Sequence, residues 1–337
     1  MSTMSKLILP RSIRSAYTRD NGLMTFDAAT IDSAGVFLVG ELERLDQELH
    51  MPLASVTWGR DIDLREDVSI ADEVSSYTNS TFAAAGGASP NGKSWIGKDA
   101  TAIQGLALDI GKTPHPLNLW GMELGWTIPE LLSAQRLGRP VDQQKFEGLQ
   151  LKWNMDTDEQ IYIGDTGLGV TGLVNNANVA TSNAVNGNWS NGTTTPAQML
   201  ADVNAVLETA WTNSGYAYTP SELLLPPQAF STLVQTIVSS AGNISALEYL
   251  KANCISNANN GKPLNVYPCK WLTTAGASGK TRMVAYTKQK RLVRFPLVPL
   301  QRTPLEYRGI LQLTTYFGRL GAVEWVYPET GAYADGV

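Results

Sequence analysis

Residues 52–126 set the tightest limit on what this chain can become, because they hold strand-forming runs and almost nothing to build a core around. "ASVTW" (54–58), "DVSIA" (67–71), "AIQGLALDI" (102–110) and "PLNLWGMELGW" (116–126) read as short strands. Between them, "GGASPNGKSW" and "GKTPHP" are turn chemistry. A long two-stranded excursion is marginal by itself, so its apolar face has to rest on something else. If the rest of the monomer does not cover it, a neighbouring subunit must.

The remaining chain is richer in helix signals. Residues 1–30 lack sustained periodicity and read as an arm, whereas Val36, Val39, Leu42, Leu45 and Leu49 recur at helical spacing until Pro52 stops them. "TIPE" at 127–130 is a capping box, and Gly138 and Pro140 end the helix it starts. A longer helix is expected over Val141–Tyr162, with Phe146, Leu149 and Trp153 on one face. "TPAQ" at 195–198 caps another, whose Met199, Val203, Val206, Leu207 and Ala210 face a core. "ELLL" before Pro226 is a short buried strand. Phe230, Leu233, Val234, Ile237 and Val238 mark a helix, and "SALE" at 245–248 caps one more. The tail returns to strands in "RMVAYT", "RLVRFPL", "ILQLTTYFGRL" and "AVEWVYP". The order of elements is α+β, without the βαβ alternation of a doubly wound sheet.

One motif argues for a different class. Gly167, Gly169 and Gly172 in "IYIGDTGLGVTGLVNN" (161–176) spell G-x-G-x-x-G, the turn that cradles a dinucleotide pyrophosphate. That mechanism needs a strand before the glycines, a helix after them, and an acid about 20 residues on. Here a polar helix precedes, an Asn/Gly/Thr-rich stretch follows, and the next acid after Asp165 is Asp202. A glycine-rich exit from a helix is the better reading.

No other grouping looks like an active site, and no catalytic, cofactor-binding or metal-binding residue is assigned. His50 and His115 are far apart, and no G-x-S-x-G elbow accompanies them. "DID" (61–63) and "DTDE" (156–159) are expected to be solvated carboxylates. Cys254 and Cys269 are too few for a zinc site or a disulfide scaffold. "KQKRLVR" (288–294) reads equally as a nucleic-acid contact or as a charge-protected sheet edge. A net charge of −5 argues against a dedicated nucleic-acid binder, and no apolar run is long enough to span a membrane. "LIL" at 7–9 is too short for a signal-peptide core. Charge is nonetheless polarised. From Trp153 to Leu250 there are eight acids and no Lys or Arg, while the first 19 residues carry Lys6, Arg11, Arg14 and Arg19 and no acid.

In this order the elements resemble the major capsid protein of tailed phages, of the Hong Kong 97-like fold. "MELGWTIPELLSAQRLGRPVDQQK" (122–145) is similar to that family's entry into its spine helix, and "GD…LGVTGLVN" (164–175) to the exit. "ELLLPPQAFSTL" (222–233) resembles its strand-then-helix segment, and "VEWVYPETGAYADGV" (323–337) its C-terminal strand and tail. The resemblance implies an N-terminal arm at 1–30, an N-terminal helix of the peripheral domain at 31–52, and an extended β-hairpin loop at 53–126. A peripheral domain with its long spine helix would follow at 127–175, then an axial domain at 176–280 and returning peripheral strands at 281–337. It further implies copies that assemble through pentamers and hexamers into an icosahedral head enclosing double-stranded DNA, in a virion assembled in the bacterial host cytoplasm. Trp58, Arg60, Lys93, Trp95 and Lys98 become subunit-contact candidates, and Lys6, Arg11, Arg14 and Arg19 DNA-facing candidates. With only about 30 residues before the first helix, a separate scaffolding protein is expected, beside a portal and a decoration protein. Lys93 and Lys98 lie in the loop that one branch of the family crosslinks, but no motif here carries that chemistry over. The alternatives are an encapsulin-type compartment shell, a nucleotide-binding enzyme and a secreted β-rich adhesin.

Overall fold

The computed structural model of the chain describes residues 54–84, 98, 106–137, 141–239 and 244–337. The arm expected at 1–30, the helix expected at 31–52, and Lys6, Arg11, Arg14, Arg19, Lys93 and Trp95 lie outside the described residues.

A helical turn, α1 (Trp58–Asp61), leads through β1 (Leu64–Arg65) into a hairpin of β2 (Val74–Ala84) and β3 (Leu106–Pro116). β4 (Asn118–Thr127) then runs antiparallel to β13 (Leu311–Leu320) along ten residue pairs, from Asn118 opposite Leu320 to Thr127 opposite Leu311. The capping box forms as its sequence requires: Glu130 N donates to Thr127 Oγ1 at 3.2 Å and Thr127 N to Glu130 Oε2 at 3.5 Å. It opens α2 (Ile128–Leu137), and α3 (Val141–Tyr162) follows with the bounds the sequence predicts.

α3 is polar along most of its length and is held by the few side chains that are not. Leu149 and Trp153 are buried against the β4–β13 ladder, where Trp153 meets Trp120 edge-on at 5.0 Å and Phe146 meets Tyr316 at 5.4 Å. Gly318 makes this approach possible, since a Cβ there would stand 2.8 Å from the Trp153 ring.

Beyond α3, the chain builds a second sheet in the order β5 (Ala180–Asn183), β15 (Ala332–Asp335), β10 (Arg282–Tyr286), β6 (Glu222–Leu225), β9 (Asn265–Pro268). Its three middle strands are buried throughout. α4 (Pro196–Asn213), capped by Thr195 and Gln198, lays Met199, Val203, Val206, Leu207 and Ala210 on the sheet, as their spacing predicts. α5 (Pro227–Gln235) and α6 (Ala246–Asn253) complete this core, and the short α7 (Ile255–Asn260) follows. Residues 281–337 divide between two sheets. β10 and β15 complete the second one, while β11 (Val293–Arg302), β12 (Glu306–Arg308), β13 and β14 (Glu324–Trp325) join β1 and β4 in the first.

Four local readings change. "ASVTW" is not a strand: Asp158 of α3 accepts the Thr57 and Trp58 N–H groups at 2.9 and 3.2 Å and sets up α1 instead. "DVSIA" is a turn closed by Ser69 and Asp72. Ile237 and Val238 leave the helix, which stops at Gln235, and enter β7 (Ile237–Ser239), paired with β8 (Ile244–Ser245). "KQKRLVR" is not a charged edge, because Val293–Pro296 pairs with β14 and then β1, and Arg294 binds the buried Glu324 at 2.6 Å.

Candidate assembly surface

The β2–β3 hairpin carries the feature that most resembles a working surface. Leu106, Leu108 and Ile110 alternate along β3 and so share one face of the ribbon. They are 64 %, 54 % and 62 % exposed, and nothing among the described residues covers them. Every residue from Leu106 to Lys112 is exposed, so both faces of this stretch are bare. The period-two alternation in "LALDI" was visible in the sequence, but only exposure singles it out as a surface rather than a core.

The base of the ribbon is built quite differently. Glu324, fully buried, accepts hydrogen bonds from Arg294, from Arg65 at 3.3 Å and from Ser75 of β2. Tyr77 donates to the Trp325 carbonyl at 3.0 Å and stacks on His115 of β3, ring centres 5.6 Å apart. Arg319 holds the Ile70 and Leu117 carbonyls at 2.7 and 2.9 Å. A pinned base with a bare ribbon is the arrangement of a lever aimed outward.

A second anchor joins the approach to the hairpin to the C-terminal end of α3. Asp61 is buried, bound by Arg60 at 2.5 Å and by the Tyr162 hydroxyl. Asp158, also buried, takes the two N–H groups at Thr57 and Trp58, the Trp271 indole at 2.8 Å and Lys270 at 3.2 Å. Asp61 of "DID" and Asp158 of "DTDE" are thus structural rather than solvated, whereas Glu159 is exposed. Their spacing gave no warning, since apart from the neighbouring Arg60 their partners lie about 100 residues away or more. Burial, with Asp61 beside it, drives the Tyr162 hydroxyl far above its ordinary pKa, and burial pushes the Cys269 thiol up to about 12. Neither group is a nucleophile in waiting.

The sequence-selected contact residues fall partly within this anchor. Arg60 spends its guanidinium inside the chain, on Asp61, on the Pro268 carbonyl at 3.1 Å and over the Tyr267 ring at 4.3 Å. Trp58 is half-buried in the same core. Lys98, between β2 and β3 in sequence, is exposed. The structure therefore places both Trp58 and Arg60 in this anchor.

The glycines of 164–172 form a tight return along the last turn of α3. Leu173 N and Val174 N donate to the Ile161 and Tyr162 carbonyls at 2.7 and 3.1 Å, and a Cβ on Gly172 would stand 2.2 Å from the Tyr162 carbonyl oxygen. This is the negative, carbonyl-bearing end of a helix, and no helix begins within the segment that follows. It is the wrong polarity for a pyrophosphate.

Two of the open grooves among the described residues measure about 440 and 480 Å³. The first is lined by Leu119, Leu168 and Trp120 with Asp156, Glu159 and Asp165; the second is lined largely by Asn, Ser and Thr with Lys262. Neither contains a histidine or a cysteine. Among the described residues no cluster of His, Cys, Asp and Glu could hold a metal ion, and no helix is long and apolar enough to cross a membrane.

Burial holds the His115 imidazole below its ordinary value, with Glu324 pulling the other way. A histidine that binds its proton more weakly when folded contributes fully above its unfolded pKa, and that contribution is lost as pH falls toward the folded one. The hairpin base is therefore expected to loosen as pH falls below about 6.5, read as a falling melting temperature. His115→Asn should flatten that slope; an unchanged slope would assign it to other groups.

A model of the family described as Major capsid protein matches residues 92–337. No match is found among curated protein sequences. Solved structures do match. The capsid of Myoviridae phage XM1 superposes with a TM-score of 0.73 at 16 % identity, covering 88 % of this chain and 98 % of that one. The capsid of the native GTA particle gives 0.58 at 10 % identity, with 92 % and 99 % covered. The encapsulin of Synechococcus elongatus PCC 7942 gives 0.50 at 16 % identity, with 94 % and 96 % covered. At these identities the likeness is one of fold, and that fold is Hong Kong 97-like.

Proposed function

The chain belongs to the major capsid protein family, and we propose that its copies close through pentamers and hexamers into an icosahedral head around phage double-stranded DNA. The observation that carries this is the bare ribbon of Leu106, Leu108 and Ile110 on a pinned base. A soluble monomer gains nothing from such a ribbon, whereas a neighbouring copy that covers it gains about 1.5–3 kcal/mol per apolar side chain before ordering costs. Contacts this modest suffice in a closed shell, because each subunit is held by several neighbours at once. Head-to-tail contacts of this sort make rings when the rotation closes.

In this reading residues 53–126 are the extended loop, 127–175 a peripheral domain with α3 as its spine, and 176–280 an axial domain that takes in β10 and β15. Lys93, Trp95 and Lys98 lie where the loop meets its neighbour. Lys6, Arg11, Arg14 and Arg19 supply non-specific phosphate contacts to packaged DNA. The protein works without catalysis, alongside a scaffolding protein, a portal and a decoration protein, and it is assembled in the host cytoplasm before residing in the virion. The encapsulin likeness supports a second reading, a compartment shell around cargo protein. DNA content separates the two.

The test is negative-stain microscopy with light scattering, on the protein alone and expressed with its neighbouring genes. Closed shells, or rings that close when a scaffold is supplied, are expected. A stable monomer or dimer under every condition would refute the proposal.

A further inference from the structure

From Tyr249 to Leu305 the chain carries ten Lys and Arg and no Asp or Glu, the mirror of the base-free run before it. Four of these cations are spent inside the fold: Lys270 on Asp158, Arg282 on Asp335, Lys288 beside Asp63 and Arg294 on Glu324. Three of the others stand together. Lys262 lines the second groove, of about 480 Å³, and so does Gln289, whose neighbours Lys290 and Arg291 are exposed in the turn between β10 and β11. The Arg291 guanidinium lies over the ring of Tyr218, a further lining residue, at 5.2 Å. None of the three makes an ion pair among the described residues. Pairing draws Val293 and Arg294 into the sheet and leaves Lys290 and Arg291 outside it.

Two hydroxyls in the groove have hydrogens to give. Thr219 Oγ1 accepts from Asn259 Nδ2 at 2.5 Å and Ser221 Oγ from the Lys288 N–H at 3.3 Å, so each keeps its own hydrogen to donate. Both residues line the groove. Such donors beside cations suit a ligand that only accepts and is negatively charged. Phosphate oxygens of a nucleic-acid backbone are that ligand, held by Lys, Arg, Ser, Thr and Tyr side chains without any reading of sequence. The cations come from two separate connections, α7–β9 and β10–β11, a spread that fits successive phosphates better than a lone anion. We propose that this groove is a second DNA contact of the shell protein, separate from the basic arm, in which Lys262, Lys290 and Arg291 neutralise backbone phosphates and Thr219 and Ser221 donate to their oxygens. It rests on the DNA-filled shell reading above and sets the groove on the inner face of the shell.

The test is fluorescence anisotropy of a short labelled DNA duplex with the unassembled full chain, over a series of salt concentrations. Each neutralised phosphate contributes about 0.9 to the slope of log affinity on log salt. Lys262→Gln, Lys290→Gln and Arg291→Gln together should lower that slope by roughly 2–3 and weaken binding about ten-fold or more, equally for duplexes of different sequence. Lys112→Gln, Arg136→Gln and Arg308→Gln together make the same change in net charge at three exposed cations elsewhere, and should leave the slope within about 0.5 of the parent. Ser221→Ala removes a donor and no charge, and should weaken binding roughly three- to ten-fold at an unchanged slope. A control variant as weak as the groove variant would overturn the site, since net charge alone would then account for both. So would a Ser221→Ala chain that binds like the parent. Polyglutamate held as tightly as DNA, and released by the same three groove changes, would overturn it in favour of an acidic protein partner. Shells that form normally while the groove variant binds DNA like the parent would overturn the groove and leave the shell reading standing. Groove-dependent binding by a chain that never assembles would instead sink the shell reading itself.

Discussion

Replacing Leu106, Leu108 and Ile110 together with serine is expected to abolish particle formation while moving the melting temperature of the isolated subunit by no more than a few degrees. The two halves of this expectation come from the same fact. These side chains are more than half exposed in the single chain, so removing them takes nothing from its core. In a shell, each would be covered by a neighbour at about 1.5–3 kcal/mol per side chain, so the triple change removes roughly 5–9 kcal/mol of gross contact energy at every copy of the interface. Because every interface in the shell loses it at once, assembly fails cooperatively rather than by degrees. Circular dichroism melts of the free subunit and light scattering of the assembly mixture separate the effects. A subunit that melts far lower would mean the row belongs to a core; particles formed at normal yield would mean the ribbon faces solvent in the shell.

Much of the fold was legible because the signals were local. The capping boxes at Thr127 and Thr195, the bounds of α3, the buried "ELLL" strand and the core face of α4 all depend on residues within a turn or two of each other. The glycine turn was legible for the same reason, since its context spoke against a pyrophosphate before its geometry did. The readings that changed were decided at long range. Asp158 turns Ser55–Asp61 from strand to helical turn across about 100 residues, and Glu324 draws Arg294 inward from what looked like a charged edge. No spacing rule announces such a partner. Trp58 and Arg60 became contact candidates because the resemblance places them in the extended loop. Both residue types also suit a half-buried tie, and here Arg60 makes one.

Asp158→Ala should cost about 3–5 kcal/mol, because a buried carboxylate is removed while its donors stay behind. The Thr57 and Trp58 N–H groups and the Trp271 indole would lose their acceptor inside the core, and Lys270 its buried partner. Against a typical total of about 5–15 kcal/mol this is a large share, and it should lower the melting temperature by roughly 6–15 °C. Glu159→Ala, one residue along the same helix and exposed, is the control, expected within about 0.5 kcal/mol of the parent. A loss at Asp158 no larger than at Glu159 would mean that the Ser55–Asp61 segment is not held by α3. The consequence reaches the shell as well. That segment leads directly into β1 and the pinned base of the hairpin, so the carboxylate that stabilises the subunit also fixes where the ribbon points. Asp158→Ala should therefore impair folding and assembly together, whereas the hairpin triple impairs assembly alone. The contrast between them separates the surface that makes the contact from the buried charge that aims it.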